Sequence, residues 1–115
     1  MFFTVYILTN LERTIFYTGV TGVLQDCIFD HKIHQSKRVE CWRHSTRLVY
    51  FENFEDVCVA IDRLDTLTLR LERWEIDFIR RFNPCWVDLS QDWYDHMKLA
   101  FYKQWHSPLF PAKWQ

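Results

Sequence analysis

"FYTGVTGVLQDCIFDHK", residues 16–32, decides how the rest of the chain is read. Aromatic and β-branched residues lead into Gly19 and Gly22. Leu24, Cys27, Ile28 and His31 then fall at i, i+3, i+4 and i+7. The first part has the composition of a strand and the second the spacing of one helical face, so the stretch predicts a strand running through a glycine turn into a helix. Upstream, "FFTVYILT" (2–9) is rich in the same residue types and ends at Asn10, a turn former. Only "NLER" (10–13) separates it from "TIFYTGV" (14–20), so the two runs predict an antiparallel hairpin.

Downstream, "RLVYFE" (47–52) is a third strand candidate, and from Asn53 the pattern turns helical. Asn53 is positioned to cap, and Glu55 and Asp56 suit the positive end of a helix dipole. Val57, Ala60, Ile61, Leu64, Leu71, Trp74, Phe78 and Phe82 keep a 3.6-residue spacing as far as Pro84. That run is long for one globular helix. Thr66 and Thr68 in "TLTLR" (66–70) are weak helix formers, and a break is expected there. The expected class is α+β, a small three-stranded antiparallel sheet flanked by helices.

The chain has 115 residues, 49% hydrophobic and 18% aromatic, enough for one domain around a single core. That domain is expected over residues 1–93. From Trp93 into the extension, 94–115, Trp93, Met97, Phe101 and Trp105 recur every four residues, as on one face of a short helix. The stripe is expected to pack on the domain; the alternative is a surface for a protein partner or for self-association. Charged and polar residues interrupt every apolar run, which argues against a membrane span. The first ten residues carry no basic segment or cleavage pattern. Cys27, Cys41, Cys58 and Cys85 are therefore expected as reduced thiols in a cytoplasmic protein.

Fourteen Lys and Arg against fifteen Asp and Glu leave a net charge of -1, unlike a strongly basic nucleic-acid binder. Positive charge is nevertheless concentrated locally. Lys32, His34, Lys37, Arg38, Arg43, His44 and Arg47 lie within sixteen residues. They form either a phosphate-gripping patch or a solvated loop.

"TVYILTN", "YTGVTGVLQDCIFDHK", "LVYFENFEDVCVAIDR" and "RRFNPCWVDLSQDW" together resemble the small stand-alone domains of the GIY-YIG endonuclease family, in order and interval, from about Phe3 to Trp93. The resemblance implies a three-stranded antiparallel sheet wrapped by helices and metal-dependent hydrolysis of a phosphodiester. It also implies site residues. Tyr6 matches the tyrosine of the first name-giving triplet, with Thr4 in place of its glycine. Tyr17 and Gly19 match the second triplet, His31 the histidine of the first helix, and Asn83 the asparagine before the late proline. A tyrosine hydroxyl can position a proton for an attacking water, and a glycine lets backbone turn tightly and approach a phosphate.

Two positions depart from the family pattern. Cys27 stands where the family has an arginine, whose fixed positive fork stabilises charge on the phosphate. Leu64 stands where the family has a metal-binding glutamate, and leucine offers a hard divalent ion no oxygen. Loss of one such electrostatic donor costs about 2.7–4 kcal/mol of transition-state stabilisation, before the loss of the metal. The resemblance therefore implies a degenerate active site that binds nucleic acid (DNA rather than RNA) or protein, with no cofactor expected. The alternative is a working Mg²⁺-dependent DNA endonuclease with relocated groups, Asp65 for the metal and Arg63 or Arg43 for the phosphate. Gly19, Lys32, Lys37, Arg38, Arg43 and Arg47 are the candidate nucleic-acid contacts. Cys27, His31, Cys41 and His44 are zinc-ligand residue types in a spacing that matches no standard finger, and zinc is not expected.

Overall fold

The computed structural model describes residues 2–34 and 47–93. Strands β1 (Phe3–Thr9) and β2 (Phe16–Thr21) form the expected hairpin, and helix α1 (Leu24–His34) follows. Strand β3 (Arg47–Phe54), helix α2 (Val57–Glu72) and short helix α3 (Asp77–Phe82) complete the order. The sheet is antiparallel, with β1 between β2 and β3. A central strand has both faces covered, and Thr4 to Thr9 are accordingly all buried.

Asn10 makes the hairpin connection. Its side-chain carbonyl accepts the backbone N–H of Thr14 (2.9 Å) and of Ile15 (3.1 Å), and its amide donates to Thr14 Oγ1 (2.7 Å). Arg13 takes the left-handed conformation the turn needs, at φ 60°, and its guanidinium lies over the Trp86 ring at 5.0 Å.

Alternation along β1 divides the interior in two. Val5 and Ile7 belong to the α2 side, with Val49, Tyr50, Ala60, Leu67, Leu71, Ile79 and Trp86. Tyr6 and Leu8 belong to the α1 side, with Ile28 and Leu48. A bulge sets which side chains of β3 go where. Ile7 faces Tyr50 but Leu8 faces Leu48, so Val49 is an extra residue. The inserted residue breaks the strict alternation, and both Val49 and Tyr50 join the α2-side core.

The second half of the fold departs from expectation in two places. Asn53 does not cap a helix: it stays in β3 opposite Thr4, and its Oδ1 accepts the Thr4 hydroxyl at 2.7 Å. Asp56 caps α2 instead, accepting the N–H of Cys58 at 2.8 Å. The expected break over 66–70 is absent, because the Thr66 and Thr68 hydroxyls donate to the carbonyls of Asp62 and Leu64 and sit within the helix. The chain turns over 73–76, where Trp74 adopts φ 57°. The Trp74 ring meets Phe16 edge-on at 6.0 Å, a contact available to offset the steric cost of that conformation.

The segment after α3 closes the outer edge of β3. The N–H of Leu89 donates to the Leu48 carbonyl (2.8 Å), and the N–H of Leu48 donates to Asp88 Oδ1 (3.1 Å). Among the described residues no helix is long and apolar enough to cross a membrane.

Candidate functional site

Tyr6 lies at the centre of β1 and faces Gly19 of β2 in the strand register. Gly19 sits inside the strand, not in a turn, and its φ is not positive. Space is what requires it to be glycine. A Cβ there would fall 2.6 Å from Tyr6 Cζ and 2.9 Å from Cε1. The tyrosine ring lies across β2 in the room that the missing side chain leaves.

Helix α1 brings two further groups to that ring. Cys27 and His31 are one turn apart, and Ile28 between them is fully buried, which turns this face of the helix to the sheet. Tyr6 Oη lies 3.2 Å from Cys27 Sγ and 3.4 Å from His31 Nε2. Tyr17, exposed on β2, meets the His31 ring edge-on at 5.0 Å and the Tyr6 ring at 6.2 Å. Burial pushes the Tyr6 phenol above its ordinary pKa, and the hydrogen bond with Cys27 pushes it the same way. Tyr6 is therefore a neutral phenol at physiological pH, able to donate one hydrogen bond and accept another.

Tyr6, Tyr17, Gly19, Cys27 and His31 thus come together on the α1 side. Asn83 and Leu64 are not brought to them by any described contact. Asn83 is buried at the edge of β3, where its amide donates to the carbonyls of Val49 (3.3 Å) and Val87 (2.8 Å) and its Oδ1 accepts the Val87 N–H (3.1 Å). Those bonds hold the post-α3 loop. Leu64 packs against the α2-side core, on the other face of the sheet. Thr68, one turn later, bonds the Thr18 hydroxyl at 2.9 Å, so this part of α2 runs along β2.

The two positively charged candidate nucleic-acid contacts among the described residues, Lys32 and Arg47, are engaged within the fold. Lys32 donates to Asp88 Oδ2 at 2.8 Å, and both side chains are only 13% exposed. Burial alone would raise the pKa of Asp88, but hydrogen bonds from Lys32 and Ser90 outweigh it and hold the carboxyl below its ordinary value. Arg47 donates to the Trp86 carbonyl at 3.3 Å. Arg63 is paired with Glu52 at 2.8 Å, which takes up the guanidinium that a relocated site would need. Asp65 is exposed on α2. Lys37, Arg38, Cys41, Arg43, His44 and the extension 94–115 lie outside the described residues.

Among the described residues the cluster offers a divalent cation no carboxylate. Leu64 supplies no oxygen, and among the described residues no three His, Cys, Asp or Glu side chains gather into a metal-binding group. What the cluster offers is a hydrogen-bonding and aromatic surface. It has two exposed or half-exposed rings, a thiol and a protonated phenol.

Asp88 is the residue of structural weight that sequence reading passed over. Besides Lys32 it receives the N–H groups of Leu48 and Ser90 and the Ser90 hydroxyl (2.6 Å). The local signal was present, since an aspartate two residues before a serine in a loop is a common side-chain-to-backbone cap. Compared with protein-family models, with characterised proteins and with solved structures, the chain gives no match in any of the three.

Proposed function

We propose that this chain is a GIY-YIG-like domain that binds DNA without cutting it. The observation that supports this reading best is the gathering of Tyr6, Tyr17 and His31 around Gly19 on one side of the β2-β1-β3 sheet, with a thiol at the arginine position. Rings and hydrogen-bonding groups of this kind suit contact with sugar, base or phosphate. Cleavage asks for more. It needs a fixed positive charge against the phosphate and an oxygen-ligated metal, and Cys27 and Leu64 provide neither. Affinity for the backbone would come from Lys37, Arg38 and Arg43, because Lys32 and Arg47 are engaged within the fold.

The test has two arms on the full chain. Supercoiled plasmid is incubated with Mg²⁺ or Mn²⁺, and binding of a short fluorescent DNA is titrated at increasing salt. The expected result is no nicking, together with binding that weakens steeply as salt rises and that charge reversal at Arg38 or Arg43 impairs. Chelator-sensitive nicking by the unaltered protein would restore the nuclease reading. Absence of binding at low salt would remove the nucleic-acid reading. An oligomer lost on removal of residues 94–115 would then favour an assembly module.

A further inference from the structure

We infer that β2 is a docking site for an extended peptide, which pairs with the free edge of the strand and places one lysine or arginine side chain in a cavity between β2 and the end of α2. The edge comes from the sheet order. β2 is an outer strand, whereas the outer edge of β3 is closed by Leu89 and Asp88. From Phe16 to Thr21 the backbone pairs with β1, and among the described residues it makes no backbone hydrogen bond on the other side. Such an edge is a template for one more strand. Parity then sets where the added side chains go. Thr18 faces Ile7 and Val20 faces Val5, so Phe16, Thr18 and Val20 lie on the α2 side. A peptide residue set opposite Phe16 or Thr18 sends its side chain to that side too. There it meets a cavity of about 320 Å³, lined among others by Thr14, Phe16, Thr18, Glu72 and Trp74. The tyrosine cluster is on the opposite face of the sheet.

The lining asks for a cation. Among the described residues that form it, Glu72 alone is charged, and no described residue makes an ion pair with it. Arg70, in the same turn of α2, is turned instead to Glu75 at 3.9 Å and to the Phe78 ring at 4.9 Å. Glu72 is also the last residue of α2. The helix dipole is negative there, so a carboxylate is misplaced unless a positive group joins it. Proton accounting adds a second acceptor. The Thr68 hydroxyl donates to the Leu64 carbonyl (2.8 Å), so Thr18 is the donor in the Thr18–Thr68 bond (2.9 Å) and its oxygen has only lone pairs left. Trp74 supplies the third attraction. Its indole is 60% exposed, on a residue held at φ 57°, and an indole face attracts ammonium or guanidinium. Carboxylate, lone pair and indole together suit a group that is positively charged and only donates, as the ends of lysine and arginine are. Glu72 repels phosphate and carboxylate, and an amide or apolar side chain leaves its charge uncompensated.

The test measures binding of a labelled peptide, Thr-Val-Thr-X-Thr-Val-Thr, to the full chain by fluorescence anisotropy at low salt. X is lysine, arginine or norleucine. Two further lysine peptides carry methyl groups on alternate backbone nitrogens, in one phase or the other. The proteins are wild type, Glu72→Gln and Trp74→Gly, with folding checked by circular dichroism; glycine suits the left-handed backbone at 74. Wild type should bind the lysine and arginine peptides about tenfold tighter than the norleucine peptide. Glu72→Gln, on an exposed residue, should narrow that preference to less than threefold. Trp74→Gly should weaken both basic peptides about fivefold. Methylation should cost about tenfold in one phase only, because only one set of nitrogens faces β2. Four results overturn the site: no binding, equal binding of the norleucine peptide, a preference that survives Glu72→Gln, or undiminished binding of both methylated peptides. If Trp74→Gly does not fold, Glu72→Gln and the methylated peptides still decide.

Discussion

The two sides of the sheet are built on different principles. On the α2 side, nine buried residues close around Leu67 and Ala60, and the helix is held by apolar burial. On the α1 side the buried cluster among the described residues is Tyr6, Leu8, Ile28 and Leu48, and the helix is also held by the Lys32–Asp88 ion pair and by the Tyr6 hydroxyl. Apolar contacts tolerate pH and are rigid. A polar set can be solvated, titrated and opened. The contrast teaches that, among the described residues, the α2 side rests on apolar burial, while the α1 side combines a smaller apolar cluster with polar contacts.

Asp88→Ala should have the largest effect. It removes the carboxylate to which Lys32 donates and leaves the N–H groups of Leu48 and Ser90 without their acceptor, at a cost of about 4 kcal/mol in denaturant unfolding. Acid should reproduce it in the wild type. The folded-state pKa of Asp88 is depressed, so its stabilisation is present above the unfolded value near ~3.9 and is lost as pH falls through the folded one. Hydrogen exchange should then show α1 amides losing protection before those of α2. Simultaneous loss would break the contrast between the sides.

Next is Leu67→Ala, at about 3 kcal/mol, a fully buried side chain in the larger core. Ile28→Ala, equally buried, should cost less because its half-exposed neighbours can close over the gap, and equal costs would weaken the comparison. Gly19→Ala should cost about 2 kcal/mol by displacing the Tyr6 ring. In a double-mutant cycle with Tyr6→Ala the two changes should be clearly less than additive.

A smaller effect is alkaline. Tyr6 has a raised pKa in the fold, so the stability it contributes is intact below the ordinary phenol value near ~10 and declines above it, by up to about 1.4 kcal/mol per pH unit. Tyr6→Phe should flatten that decline in unfolding measured from pH 9 to 11. Arg63→Met should matter least, below about 1 kcal/mol, since both partners of its ion pair are partly solvated.

Periodicity made much of this legible. The hairpin and the face of α1 carrying Cys27, Ile28 and His31 follow from period-two and period-3.6 patterns that the structure repeats. The end of α2 did not, because Trp74 takes a left-handed conformation with no glycine or proline to mark it. Asn53 pairs in the strand where a cap is expected because β3 runs two residues beyond "RLVYFE", and a good capping residue can equally pair in a strand. Periodicity puts each member of the tyrosine cluster on its strand or helix, but their selection as a site rests on the family resemblance. Leu64 and Asn83 could not be placed relative to it. Which side of the sheet a helix covers depends on strand parity and on the bulge at Val49, and neither is written in α2 itself.

The Tyr6 hydroxyl has one more consequence. It touches two side chains spaced four apart on α1, so it fixes the azimuth of the helix as well as its height along the strand. A slip of one residue along α1 would swing both groups through about 100° and move them about 1.5 Å, and neither contact would survive. A single phenol on the sheet therefore acts as the index mark against which the whole helix is set.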